Sequence, residues 1–266
     1  MLKIEPIAAF SDNYIWCLYD KQSRQAAIVD PGDAAPVVEF LARNNLTLST
    51  ILITHHHADH VGGIAQLLSA AASTHADIDI PVYGPTNKSI TQITHRLSQD
   101  DTFTVFGLQF RCLAVPGHTM DHIALYCSDF AGTPILFCGD TLFAGGCGRV
   151  FEGNPSMMLD SLTKLTQLPL NTEIFCAHEY TLGNLNFAVA VEPGNESLKA
   201  RVKFDQNRRS NNIPTVPSTL QSELDTNPFL RCQQPPVIAQ AEQHEGKPCS
   251  DKVAVFAAIR GWKDNF

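Results

Sequence analysis

The stretch Thr54-His55-His56-His57-Ala58-Asp59-His60 constrains this chain more than any other part of it. Four histidines and one aspartate fall within positions 55–60. They follow a β-branched, apolar run over residues 49–54 that is predicted to be a strand. A Gly62-Gly63 step and a predicted helix through Leu67-Leu68 come next. Along an extended chain the side chains alternate, so His55 and His57 point one way while His56 faces elsewhere. Once the chain turns, Asp59 and His60 can address a second ion nearby. Imidazole and carboxylate donors suit zinc, iron or manganese. Two neighbouring ions can hold a shared hydroxide and polarise a carbonyl.

One such cluster cannot fill two coordination spheres, so further donors are expected at other strand ends. His118 follows Val115-Pro116-Gly117, Asp140 follows Leu136-Phe137-Cys138-Gly139, and His178 follows Phe175-Cys176-Ala177. Each stands just after an apolar strand, and the two oxygens of Asp140 allow it to bridge two ions. His75, His95 and His244 stand alone and read as structural. His56 reads as a support for its neighbours, and Asp30, before Pro31-Gly32, as either a support or a turn residue.

The chain has 266 residues, enough for a large core in one or two domains. Its formal charge of −8 and the lack of a basic stripe argue against nucleic acid as a partner. The eight cysteines include no Cys-x-x-Cys pair and sit mostly in apolar runs, as buried thiols in a reducing compartment do. No apolar run is long enough for a membrane span. Glu5 and Pro6 come too early for a signal peptide, so a cytoplasmic location is expected. No long exposed apolar helix demands a partner, and a monomer is expected.

Short strands are predicted over residues 4–10, 14–19, 26–30, 49–54, 103–106, 110–115, 122–127, 134–138 and 173–176. Helices are predicted over 37–43, capped by Asp33, and over 156–168. Beyond about residue 178 only helices are read, over 184–191, 196–212, 217–224 and 251–262, with a polar loop at 242–248. Strands first and helices last suggest an α+β chain of two domains, 1–178 and 179–266.

The His-x-His-x-Asp-His pattern with later His, Asp and His resembles the metallo-β-lactamase superfamily. That resemblance implies a four-layer αββα sandwich followed by a smaller helical domain. It assigns His55, His57 and His118 to one divalent ion and Asp59, His60 and His178 to the other, with Asp140 shared. Zinc is the implied metal, with iron or manganese as alternatives. Within the superfamily, Gly139-Asp140-Thr141-Leu142-Phe143-Ala144-Gly145-Gly146-Cys147-Gly148-Arg149 is similar to the loop of the glyoxalase II family. So are His178-Glu179-Tyr180-Thr181, Thr226-Asn227-Pro228-Phe229-Leu230-Arg231 and the Arg260-x-x-Lys263 ending.

The family implies hydrolysis of S-D-lactoylglutathione to D-lactate and glutathione, the second step of methylglyoxal detoxification. Asp59 and Asp140 would serve catalysis. Arg149, Tyr180, Arg260 and Lys263 would hold the glutathione arm. Arg231 is read as packing. Two positions depart from common family members: Asp121 stands where many have glycine, and Phe151 where many have tyrosine. A lactonase of the same fold and a single-iron persulfide dioxygenase are the alternatives, and a non-catalytic metal binder is a third.

Overall fold

The computed structural model describes residues 2–74 and 79–266. The chain packs as two compact units. One comprises Met1–Ala114 with Asp121–Gly139, the other Val115–Met120 with Asp140–Phe266. In the second unit, the helix at Pro155–Leu165 packs against the last helix and the turn at Pro228–Leu230. The chain after residue 140 therefore groups with the helices that follow it.

In the first unit a six-stranded sheet contains β1 (Leu2–Ala9), β2 (Asn13–Asp20), β3 (Gln25–Val29), β4 (Thr47–Leu52), β5 (Val82–Pro85) and β6 (His95–Leu97), in that order. β1 to β3 are antiparallel, and β3 to β6 run parallel. Parallel neighbours need a crossover, which α1 (Ala34–Asn44) supplies between β3 and β4. Asp33 caps α1 by accepting from the Ala35 amide at 2.9 Å, and Asn45 closes it in the left-handed region. The four-residue α2 (Ala58–Val61) and α3 (Ile64–Thr74) follow β4. Val37, Phe40 and Leu41 of α1 join Ile64 and Leu67 of α3 in a core against the sheet.

An antiparallel meander completes this unit: β7 (Thr102–Val105), β8 (Leu108–Ala114), β9 (Ile123–Phe130) and β10 (Thr133–Gly139). Tyr83 of the first sheet stacks on Phe103 of the meander, with ring centres 4.5 Å apart, and Phe110 and Phe137 continue the row. Each such ring pair contributes about 0.5–1.5 kcal/mol beyond its buried area. β2 is buried at seven of its eight positions, because both faces of its sheet are covered.

The second unit opens with the tight pair β11 (Leu142–Phe143) and β12 (Gly146–Cys147), followed by α4 (Pro155–Leu165). β13 (Glu173–Cys176) pairs with the two-residue β14 (Ser218–Thr219). Helices α5 (Thr181–Val191), α6 (Glu196–Ser210), α7 (Leu220–Thr226), α8 (Pro235–Glu245) and α9 (Lys252–Asp264) make up the rest. Asn154, Asn195, Thr219 and Asp251 each cap a helix through a side-chain oxygen. Phe187, Phe229, Phe256 and Trp262 join α5, α8's preceding turn and α9 through ring contacts.

Several elements differ from the sequence reading. β5, β6 and β14 were not expected, since at two to four residues they carry too little periodicity. The residues read as a polar loop at 242–248 begin inside α8, which buries only Val237 and Ala241 and ends at left-handed Gly246. His95 stacks near Tyr83 and His244 on Trp262, consistent with structural roles, while His75 lies outside the described residues.

Candidate metal centre

β4 ends at Leu52, and the backbone beyond it is fixed by one carboxylate. Asp30, at the end of β3, accepts from the Thr54 amide at 2.8 Å and the Thr54 hydroxyl at 2.7 Å. It does so from a left-handed conformation, φ +51°, which aspartate tolerates better than most residues. Its Oδ2 also lies 3.1 Å from His60 Nδ1. Gly32 is required beside it, because a Cβ there would sit 1.8 Å from the Asp59 carbonyl oxygen.

These bonds set the histidine tautomers. The Thr54 hydroxyl donates to Asp30, so at 3.1 Å it accepts from His55 Nδ1–H. His55 Nε2 then presents a lone pair, 3.1 Å from His57 Nδ1. His60 Nε2 lies 3.5 Å from Asp59 Oδ2. The Asn13 amide donates to the same Asp59 oxygen at 3.0 Å. His55 and His60 are fully buried, and the buried His122 stacks on His55 with ring centres 4.5 Å apart. His56 points elsewhere, as alternation requires, and its Nδ1 meets Asp121 Oδ1 at 2.8 Å.

In the second unit Asp140 lies between two histidines. Its Oδ2 is 3.4 Å from His118 Nε2, and its Oδ1 is 3.4 Å from His178 Nε2. His118 Nδ1 donates to the Arg149 carbonyl at 2.8 Å, so its Nε2 faces the carboxylate with a lone pair. Two electron-rich atoms facing each other need a cation between them. A separation of 3.4 Å exceeds the 2.7–2.9 Å typical of a charge-assisted hydrogen bond. It fits two donors on one ion, which at bond lengths of about 2.0–2.2 Å stand roughly 3.3–3.6 Å apart. The residues present therefore suit a metal, and all seven expected ligands belong to His/Asp groupings able to hold one.

The loop from Asp140 to Arg149 is held from behind. Glu223 accepts from the Gly145 amide at 2.8 Å. Asn227 donates to the Phe143 and Gly146 carbonyls, Asn184 to Ala144, and Arg260 to Cys147. Gly148 is needed here too, since a Cβ would lie 1.9 Å from the Asp140 carbonyl oxygen.

Arg149, Arg260 and Lys263 belong to the same unit. Arg260 is buried, lies over the Phe229 ring and donates to Asp264 at 3.0 Å. The exposed Arg149 reaches the same Asp264 oxygen at 3.7 Å. Lys263 donates to the Gly183 carbonyl at 3.2 Å, and burial, then Arg260 and Arg149, lower its pKa. Tyr180 is exposed and stacks on His178 at 4.7 Å. Burial pushes the Cys147 and Cys176 thiols up to about 11 and about 12, so neither supplies a thiolate at neutral pH.

Residues 15–178 match the family model of the metallo-beta-lactamase superfamily, and residues 179–266 that of the hydroxyacylglutathione hydrolase C-terminus. A hydroxyacylglutathione hydrolase from Cupriavidus taiwanensis is 50% identical over 268 residues, covering 100% of each chain. The chain belongs to the hydroxyacylglutathione hydrolase family. Among solved structures, BLEG-1 B3 metallo-beta-lactamase is 25% identical with a TM-score of 0.58, covering 86% of this chain and 99% of its own. TTHA1623 in a di-iron-bound form is 25% identical with a TM-score of 0.52, covering 65% and 91%. The chain thus has the metallo-β-lactamase fold of α+β class with the family's helical C-terminal part.

Sequence reasoning flagged His56 as a support and Asp30 as a support or a turn residue, gave Thr54, Asn184 and Asn227 no role of their own, and passed over Asn13 and Glu223. The Arg231 fork grips Glu192 with two bonds of 2.8 Å, in keeping with packing. Phe151 meets His118 with its ring, centres 5.3 Å apart.

Proposed function

We propose that this chain hydrolyses S-D-lactoylglutathione and related 2-hydroxyacyl thioesters of glutathione to the hydroxy acid and glutathione. The observation that carries this is Asp140, which turns one oxygen to each of two histidines in a family member matched along its whole length. His55, His57 and His118 would hold one divalent ion, Asp59, His60 and His178 the other, and Asp140 both. Zinc is the first choice, and iron or manganese suits the same donors. When bound, such a pair supplies hydroxide at neutral pH and stabilises charge developing on the thioester oxygen.

The chain's own groups do the positioning. Asp59, 41% exposed at its side chain and held by Asn13, can orient the attacking water. Hydrolysis forms a C–O bond and breaks the C–S bond. One proton of water ends on the thiol, and the other passes to solvent as the new carboxylic acid ionises to carboxylate. A thiol of pKa about 8.5 departs without a strong general acid. Residues 179–266 would form the substrate-binding domain that follows a catalytic domain over 1–178. Arg149, Tyr180, Arg260 and Lys263 would hold the glutathione arm. The eight cysteines, all free, fit a cytoplasmic location. No described helix is long and apolar enough to cross a membrane.

The test is loss of thioester absorbance at 240 nm, before and after chelation. Turnover that stops on chelation and returns with metal supports the reading. No turnover by protein shown to carry two ions rejects it in favour of another hydrolase of this fold.

A further inference from the structure

We propose that Asp121 is a positioning residue for the ion assigned to His55 and His57, acting through His56; this rests on the two-ion reading above. Asp121 uses both of its oxygens. Oδ1 accepts from His56 Nδ1 at 2.8 Å, and Oδ2 accepts from the Asn87 amide at 2.9 Å. Asn87 lies on the connection between β5 and β6, and its carbonyl accepts from Arg96 at 2.6 Å. The carboxylate is therefore tied to one side of the sheet, and its side chain is 11% exposed.

His56 stands between two ligands, on residues that belong to neither β4 nor α2. Its ring packs edge-on against His57, with centres 5.2 Å apart. His55 already has Thr54 and His122 to fix it. The clamped His56 ring gives His57 a comparable backing. An imidazole held in place before the ion arrives loses less freedom on binding, which raises affinity. Changes to groups that orient ligands typically cost about 10–100-fold in metal affinity.

The experiment titrates the metal-free full chain with Zn2+ against a competing chelator, for the parent, D121A, H56A and the double variant. Melting of each metal-free protein controls for folding. The expected result is a loss of about tenfold or more at one of two sites in D121A, an unchanged second site, and no further loss in the double variant. Should D121A fail to fold, a selective loss in H56A with normal melting supports the same role. Parent-like affinity at both sites overturns the proposal, as does equal weakening of both sites or losses that add in the double variant. A parent that binds fewer than two Zn2+ overturns the two-ion reading itself, and this proposal with it.

Discussion

The two ligand-bearing regions are built in opposite ways. Residues 55–60 place four expected ligands on one strand exit and one short helix, and Asp30 and Thr54 orient them from neighbouring strand ends. His118, Asp140 and His178 come from three separate segments. The loop that carries Asp140 is fixed by Asn184, Glu223 and Arg260 from the helices that follow, and by Asn227 at the end of α7. A contiguous ligand set needs a strand end and a turn. A dispersed set needs a scaffold that reaches it from far along the chain.

The sharpest way to break this contrast is at Asp140. D140A removes the donor proposed to be shared and should lower kcat by roughly a thousandfold, the several kcal/mol that metal-held charge stabilisation supplies. Steady-state rates with the metal content measured alongside would check it, and a variant keeping a tenth of the parent rate would remove Asp140 from the centre. The scaffold is tested next. Glu223 is fully buried and pairs with the buried Arg201 at 2.6 Å, which also holds Asp205 and Thr226. E223A breaks this buried pair, leaving Asp205 as the carboxylate partner of the guanidinium, and should destabilise the fold by about 3–5 kcal/mol. Thermal melting reads this, and an unchanged Tm would show the loop is held by other means. On the contiguous side, D30A should spare most of the fold but weaken Zn2+ binding by about 10–100-fold, measured against a chelator. If E223A and D30A had the same profile of stability and metal affinity, the two regions would not differ as argued.

The same contrast explains what the sequence disclosed. His55 to His60 were legible because alternation and a turn place them without outside help. The cap at Asp33 was legible for the same local reason. Asp140, His118 and His178 could be nominated from their strand ends. Their common focus on Asp140 is a long-range fact that spacing does not contain. Glu223 and Arg201 were invisible, since α6 and α7 are polar helices whose charges read as solvated faces. Two-residue β14 was missed because pairing with β13, not its own pattern, makes it a strand.

The smallest effect concerns Lys263, at the far edge of the dispersed region. If it holds an anionic part of the thioester, K263A should raise KM by about tenfold and leave kcat unchanged, the worth of one charged hydrogen bond. Its pH dependence sharpens the test. Burial is the largest cause of its lowered pKa, and the charges of Arg260 and Arg149 add to it. A base lowered in this way sheds its proton at a lower pH than an exposed lysine. KM should therefore be flat at neutral pH and rise through the alkaline range before an ordinary lysine would titrate. Arginine keeps its charge over that range, so K263R should hold KM flat where the parent's rises. A K263R profile that climbs with the parent's would assign the titration to another group and take Lys263 out of substrate binding.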